Sequence, residues 1–538
     1  MSASIIRPTI IIALLAILAK LTGLVKFVVL SNRFGAGRET DIFFAAFRAP
    51  DFIFNLLIAG TLSVAFIPVF VQYLARDRQQ AFVLASSIFN LTIIVMGATA
   101  LVGVIFAGPL VSLIAPGFDE LAKSETVALT RVLMLSPLLF SLSSILTSIL
   151  HSFQRFYLAA AGPIFYNLLI IFGLFFLYPI YGFAGVVWAV VAGALLHFAL
   201  QLPTAMRLGF RPLRHFALGH SGVRQIGKLF VPRILGVDLG QVSLILSSIL
   251  GSSLAVGSIA RFNYAYDLET LPLGVFAIAF AVTAFPVLSG FAAKSDFDGF
   301  KTFLSKTMVQ LLFLIIPLSV LMLVLRAQIV RLLFGALEGT KFTFADTSIT
   351  ARALAFFSIS LAAQALLPLL ARAFYALRNT VIPVTAGAIA AGVNIALSYL
   401  LTRHYGVESM ALAFSIAAVL NLAMLFVILR RRLGNDLDDD FLIVRVLKIC
   451  TASVAAGTAA YASLYLIAPL VDMQTYFGVL VQGGGSAAIG IAAYLCIGIL
   501  TGLSEARDLV AMGKMWFVKF PKSAAAVVEN ILNDLRLG

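Results

Sequence analysis

Few residues in this chain could do chemistry, and they cluster. Asp41, Arg48, Asp51 and Asn55 follow one another at spacings of seven, three and four residues inside an otherwise apolar run. At 100° per residue, those four side chains fall within about 80° of one another on a helix. Lys20 and Lys26 flank Gly23 in the apolar run before it. A charge at the centre of a membrane helix costs about 2.5–3.5 kcal/mol on insertion scales, so its retention points to function. Three cations on two successive helices suit an anion, because Lys and Arg neutralise phosphate-type oxygens. The plainer roles are a helix-start carboxylate for Asp41, an Arg48–Asp51 pair, and a Lys26 that extends to the interface.

A second group lies further along. Asp238 and Gln241 sit in Gly236-Val237-Asp238-Leu239-Gly240-Gln241, and a mid-helix aspartate is a candidate cation or proton site or a partnered structural carboxylate. Arg261, Asn263, Tyr264, Tyr266, Asp267 and Glu269 precede Leu271-Pro272-Leu273-Gly274, where the proline should kink the helix and release carbonyls near the charges. Asn394 and Ser398 stand one turn apart, a commonplace pair in isolation.

The elements that must position these residues are membrane helices. Of 538 residues, 61% are hydrophobic and 12% charged, with a mean hydropathy of +1.04. A water-soluble fold cannot hide that much apolar surface. Disorder, a secreted disulfide scaffold (two cysteines) and most soluble enzymes are excluded. A spanning helix needs roughly 20 mostly apolar residues. Fourteen such stretches lie near 8–31, 42–74, 82–107, 127–152, 157–178, 182–205, 226–250, 259–291, 304–325, 349–374, 381–402, 408–430, 444–470 and 478–501. The first carries Lys20 and Lys26 without a clear cleavage site, so it is expected to be retained. Beyond Glu505, Met512, Met515, Phe517 and Phe520 alternate with Lys514, Lys519 and Lys522, as in an interfacial helix and tail over 504–538.

Most of the net charge of +14 orients the chain. Loops after even-numbered spans hold Arg76, Arg78, Arg155, Arg207, Arg211, Lys294, Arg378 and Arg430, among others; the odd loops hold few cations. The even loops and both termini are therefore expected in the cytoplasm. The chain also repeats weakly at a period near 220: Ala65-Phe66-Ile67-Pro68-Val69 returns as Ala284-Phe285-Pro286-Val287, and Tyr181-Gly182 through Ala189 as Tyr405-Gly406 through Ala413. Six spans per half insert with the same orientation, a parallel repeat. The expected architecture is all-α: an N-lobe over 1–220, a C-lobe over 221–440, and two further helices over 441–503. No phosphate-binding Gly-rich loop, zinc motif or nucleic-acid module is evident. Gly483-Gly484-Gly485-Ser486 reads as a flexible loop or helix entry. A non-enzyme is expected, with membrane lipids as surroundings and no nucleic-acid partner.

Arg33-Phe34-Gly35-Ala36-Gly37 followed by Thr40-Asp41-Ile42-Phe43-Phe44-Ala45-Ala46-Phe47-Arg48-Ala49-Pro50 resembles the signature of the MurJ (MviN) lipid II flippase family of the MOP exporter superfamily. Ala115-Pro116-Gly117-Phe118, Leu271-Pro272-Leu273-Gly274 and Ala371-Arg372-Ala373-Phe374-Tyr375-Ala376-Leu377 extend the likeness. The resemblance implies a monomeric transporter of the bacterial inner membrane. It would carry lipid II, an undecaprenyl-pyrophosphate-linked peptidoglycan precursor, to the outer leaflet by alternating access. It also implies a cationic central cavity at which Lys20, Lys26 and Arg48 match basic positions and Asp41 an acidic one, and a tail groove at the last two helices. Asp51, Asn55, Arg261 and Asp267 are further candidates for that cavity. Some members bind sodium where Asp238, Asn394 and Ser398 fall, so coupling to sodium or to a proton is expected, with no other cofactor.

Two departures are visible. Tyr264-Ala265-Tyr266-Asp267 stands where the family usually has Tyr-Ala-Asp-Arg, and no arginine accompanies Phe54 and Asn55. Either Arg261 reaches the cavity instead, or the substrate is another lipid-linked glycan such as an O-antigen or teichoic-acid precursor. A multidrug exporter fits less well, because organic cations favour acid-dominated cavities. A non-transporting scaffold is the remaining alternative.

Overall fold

The computed structural model describes residues 3–57, 62–212, 216–234, 239–434 and 436–511. Among these, all regular structure is helical. The first half comprises α1 (Ala3–Phe34), α2 (Arg38–Leu57), α3 (Leu62–Arg76), α4 (Arg78–Ile105), α5 (Ala107–Ile114), α6 (Glu120–Leu133), α7 (Leu135–Ser152), α8 (Tyr157–Phe172), α9 (Tyr178–Arg207) and α10 (Ser221–Ile234). The second comprises α11 (Leu239–Gly251), α12 (Ser258–Pro272), α13 (Ile278–Ala293), α14 (Phe297–Val324), α15 (Arg326–Val330), α16 (Phe344–Ala376), α17 (Val381–Tyr405), α18 (Glu408–Arg432), α19 (Asp439–Ile467) and α20 (Tyr476–Leu500). Single wide turns at Gly173–Leu177 and Leu273–Ala277 join α8 to α9 and α12 to α13.

Eleven helical stretches among the described residues are long and apolar enough to cross a membrane. Fourteen spans are compatible with these. The stretch Tyr157–Arg207 is broken at Gly182, where φ is 61° and ψ −151°. The expected spans 42–74 and 226–250 fall on α2–α3 and α10–α11. The helix α2 is less apolar because it carries Arg38, Glu39, Asp41, Arg48 and Asp51. Residues 512–538, most of the expected interfacial tail, lie outside the described residues.

The described residues cluster into two compact units: 3–30 with 38–234, and 31–37 with 239–511. Between them the repeat is written in the backbone. Gly35 and Gly257, Gln154 and Arg378, Gly182 and Gly406, and Gly209 and Gly434 all have positive φ, paired at offsets of 222 to 225 residues. Gly182 and Gly406 share a conformation (φ 61°, ψ −151° against φ 76°, ψ −166°) that is essentially restricted to glycine. Gln154 and Arg378 close equivalent helix ends, with Arg155 N donating to Leu150 O at 2.8 Å and Asn379 N to Phe374 O at 2.9 Å.

Side-chain caps start several helices. Asp77 accepts from Gln79 N and Gln80 N for α4, Asp119 from Ala122 N for α6, and Thr343 with Asp346 forms a reciprocal capping box for α16. The Ala122 amide and the Arg38 guanidinium hold the Asp119 carboxyl below its ordinary range.

Inside the spans, prolines release carbonyls that must find donors, since lipid supplies none. Pro50 leaves Ala46 O without its helical partner, and Thr130 Oγ1 of α6 donates to it at 3.3 Å. Pro317 does the same to Phe313 O, which accepts from the buried Tyr494 hydroxyl of α20 at 2.7 Å. Tyr494→Phe is expected to destabilise the fold by about 1–3 kcal/mol, the cost of an orphaned buried carbonyl. A lower thermal unfolding midpoint checks this, and an unchanged midpoint contradicts it.

Gly483-Gly484-Gly485-Ser486 is neither loop nor helix entry. It lies within α20, where a Cβ at 483 would stand 3.0 Å from Gln328 Cβ and one at 485 would stand 3.1 Å from Ile467 Cδ1. The small residues serve close helix packing, the common use of glycine between membrane helices.

Candidate functional site

In the N-terminal unit, α1 and α2 place Lys26, Arg48 and Asp51 within electrostatic reach of one another. Arg48 and Asp41 are 5% and 4% exposed, a depth at which charged residues are rare unless paired. Lys26 is half-buried, its Nζ 4.3 Å from the centroid of Phe27, which stacks on Phe44 of α2 at 6.1 Å. The exposed Asp51 carboxylate lies within the electrostatic reach of Arg48 and Lys26. Its own charge reaches Tyr166 of α8. Lys26, Arg48, Asp51 and Tyr166 therefore form one electrostatic group drawn from three helices.

Tyr166 was absent from the expected set, and nothing in its local sequence marks it. It is held by packing: Phe140 meets its ring edge-on at 5.1 Å, and a Cβ at Gly193 of α9 would stand 2.9 Å from its Cδ2. Asn55 shares the Asp51 stripe, but its Nδ2 donates to the Asp51 backbone carbonyl at 2.9 Å, a local bond within α2. Lys20 is exposed on α1. Its neighbour Ala19 is tied to α8, since Ala19 O accepts from Asn167 Nδ2 at 3.3 Å.

In the C-terminal unit Arg261 is paired with Asp346. Its Nε and Nη2 bind Asp346 Oδ1 at 2.8 and 2.7 Å, with side-chain exposures of 13% and 5%. The other Asp346 oxygen accepts from Thr343 N and Oγ1. A guanidinium so held joins α12 to the cap of α16. Asp267, on the same helix, is half-buried, and its carbonyl accepts from Thr270 Oγ1 at 2.9 Å. Tyr266 packs among Phe262, Phe357 and Phe414. Tyr264 is fully buried against Phe334 and Phe342, and its hydroxyl donates to Gly35 O at 3.2 Å.

Asp238 lies outside the described residues. Asn394 and Ser398 are both 1% exposed on α17. Asn394 Nδ2 donates to Ser243 Oγ of α11 at 2.6 Å, and Ser398 Oγ to Asn394 Oδ1 at 3.3 Å. The pair is thus fastened to the helix that begins directly after Asp238. Among the described residues no cluster of three or more His, Cys, Asp or Glu could hold a metal ion.

Glu269 is fully buried, and the expected site omitted it. Gln364 Nε2 of α16 donates to its Oε1 and also to Ser360 Oγ at 2.9 Å. Ser360 lies 2.8 Å from Ser415 Oγ of α18, which donates to Phe356 O at 2.7 Å. A lone glutamine in the apolar middle of α16 was the available signal. Elsewhere in this unit an apolar cavity of about 460 Å³ opens between α14, α16, α18 and α19, lined by Met308, Leu366, Phe426 and Val446 among others.

A family model described as "Lipid II flippase MurJ" matches residues 30–481. A "Probable lipid II flippase MurJ" of Vibrio cholerae is 29% identical over 528 residues, covering 95% of this chain and 98% of the relative. Among solved structures, "Lipid II flippase MurJ, inward closed conformation" aligns with a TM-score of 0.76 at 24% identity, covering 93% of this chain and 100% of that one. An inward-facing multidrug resistance MATE family transporter of the MOP superfamily aligns with a TM-score of 0.63 at 16% identity, covering 78% of this chain and 96% of that one. These two likenesses are of fold.

Proposed function

Because the chain belongs to the MurJ family of lipid II flippases, within the MOP exporter superfamily, we propose that Lys26 and Arg48, with Lys20, receive the pyrophosphate of lipid II as it passes from the inner to the outer leaflet. The protein is a multi-pass membrane transporter of lipid II. The observation that carries the residue assignment is a buried Arg48 sharing one electrostatic group with Lys26 and Asp51. Arginine suits this work because its planar fork matches phosphate oxygens with two N–H groups. Asp51, within electrostatic reach of both cations, limits their grip, as a carrier must release what it binds. Access alternates between the two sides of the membrane, and the apolar cavity beside α19 offers a surface for the polyprenyl tail.

The arginine-rich even loops support cytoplasmic termini in a bacterial inner membrane, and the chain acts as a monomer. Native mass spectrometry of the purified protein tests the substrate. Co-purified lipid II is the expected result, and a different polyprenyl-pyrophosphate glycan would replace it with the second reading. The departure at Tyr266-Asp267 is what favours that alternative.

Asn394, Ser398 and Ser243, joined by hydrogen bonds between α17 and α11, support a sodium site that resets the carrier. Sodium is then expected to raise the thermal unfolding midpoint of the wild type and not that of Asp238→Asn. Indifference of both proteins to sodium would remove this coupling.

A further inference from the structure

The acids of α2 belong to the group already described, whereas Glu269 has no part in it. It lies on α12 three residues before Pro272, with 0% exposure. Its Oε1 accepts from Gln364 Nε2, while among the described residues Oε2 is buried without any hydrogen-bond partner.

Phe334 and Phe342, from the segments that carry Arg331, Glu338 and Lys341, meet α12 at Tyr264, about 7.5 Å along the helix from Glu269. The charges on α11, α16, α18, the turn Leu273–Ala277 and α12 itself also lie elsewhere. The helix α11 and the turn Leu273–Ala277 carry no titratable side chain. On α16, Asp346 is bound to Arg261, and Arg352 is bound to Glu408 of α18 at 3.0 Å. Arg372 is eight residues beyond Gln364, about 12 Å along the helix, and Tyr375 lies further still. On α18, Arg430, Arg431 and Arg432 stand at the far end of the helix from Glu408. On α12 itself, Arg261 is paired, Tyr264 bonds Gly35 O, Tyr266 packs among phenylalanines, and Asp267 is offset from Glu269 by about 200° around the helix. Among the described residues, Gln364 is the side chain that hydrogen-bonds the Glu269 carboxyl.

A carboxylate with one neutral donor, out of contact with water, loses its solvation without compensation. A carboxylic acid in the same place leaves only a hydroxyl unsatisfied, a smaller cost. Gln364 suits either demand, because its amide can turn to present oxygen rather than nitrogen. Ser360 and Ser415 carry the connection on to α18.

We propose that Glu269 is a proton-binding site of the C-terminal unit, its carboxyl protonated at Oε2 while α12 is packed against α16. When those helices part, the proton passes to water and the carboxylate is left hydrated. Protonation and the α12–α16 contact are thereby linked: acid favours the packed form and alkali the parted one. The ligand is a proton rather than an alkali ion because the carboxyl has one polar neighbour, where a bound hard cation gathers several oxygens.

The test uses the full chain in lipid nanodiscs. Infrared difference spectra at neutral pH are expected to contain a protonated-carboxyl carbonyl band that Glu269→Gln loses. Gln364→Leu should move that band to the frequency of a carboxyl without hydrogen bonds. Spin labels on the outer faces of α12 and α16 should separate as pH rises in the wild type and stay fixed in Glu269→Gln, a neutral isostere. A band insensitive to Glu269→Gln, or a separation that titrates equally in both proteins, overturns the proposal. So does a sodium-dependent thermal shift that Glu269→Gln loses without any protonated band, which would make the ligand a cation. None of these readouts involves lipid II, so they succeed or fail independently of the substrate assignment.

Discussion

Replacing Arg48 with alanine is expected to abolish rescue of cells depleted of their own lipid II flippase, while the protein still accumulates in the membrane. In the purified protein the same change should weaken lipid II binding about ten- to a hundredfold, the worth of one charge-assisted contact of about 1.5–3 kcal/mol. Arg48 is 5% exposed and, with Lys26, it is one of the two cations acting on the Asp51 carboxylate. Its removal leaves that acid in range of the pyrophosphate and opposed by Lys26. Arg48→Lys keeps the charge and loses the fork, so it should retain part of the affinity. Asp51→Asn should act in the opposite direction, holding lipid II at least as tightly while slowing its release. Full rescue by Arg48→Ala, or equal lipid II affinity in Arg48→Ala and wild type, would contradict the assignment.

The second large effect lies in the C-terminal unit and is one of stability. Arg261→Ala and Asp346→Ala should each destabilise the fold by about 3–5 kcal/mol, because either change strands a buried charge. The double variant should lose much less than the two singles combined, since both charges are then gone. Thermal unfolding of the three variants in one detergent gives the comparison. If Arg261 instead contacts the substrate, Arg261→Ala will lower lipid II affinity where Asp346→Ala does not, and the unfolding midpoints will be additive. The geometry predicts coupling, as both guanidinium contacts fall on a single Asp346 oxygen while the other is occupied by Thr343.

These two arginines mark what the sequence could and could not convey. The placement of Arg48 on one helix with Asp41, Asp51 and Asn55 was legible because a seven-, three- and four-residue spacing is a property of a single helix, and helical periodicity needs no tertiary knowledge. The repeat was legible for a similar reason, and the shared backbone conformation of Gly182 and Gly406 shows why Tyr-Gly recurs at both turns. Arg261 was not legible, because its partner Asp346 lies 85 residues away and serves simultaneously as a helix cap. The same holds for the Thr130 and Tyr494 hydroxyls that answer Pro50 and Pro317: each proline announces a released carbonyl, but only the packed structure names its donor. The run Gly483 to Ser486 misled because local composition resembles a linker, whereas neighbouring side chains make it an interior surface of α20. Glu269 stood in view beside Asp267. What sets the two acids apart is burial on one side of α12, which only the packing of α16 reveals.

The proposed function has this chain carry lipid II across the membrane on its α1–α2 cations. Its most direct measurement is the accessibility of lipid II to an external lipid II-cleaving enzyme in cells whose own flippase has been depleted and which express this chain. Wild-type protein is expected to restore outer-leaflet lipid II, and Arg48→Ala, at equal membrane abundance, is expected not to. Lipid II that stays inaccessible despite inserted wild-type protein, or that becomes equally accessible with Arg48→Ala, would contradict it.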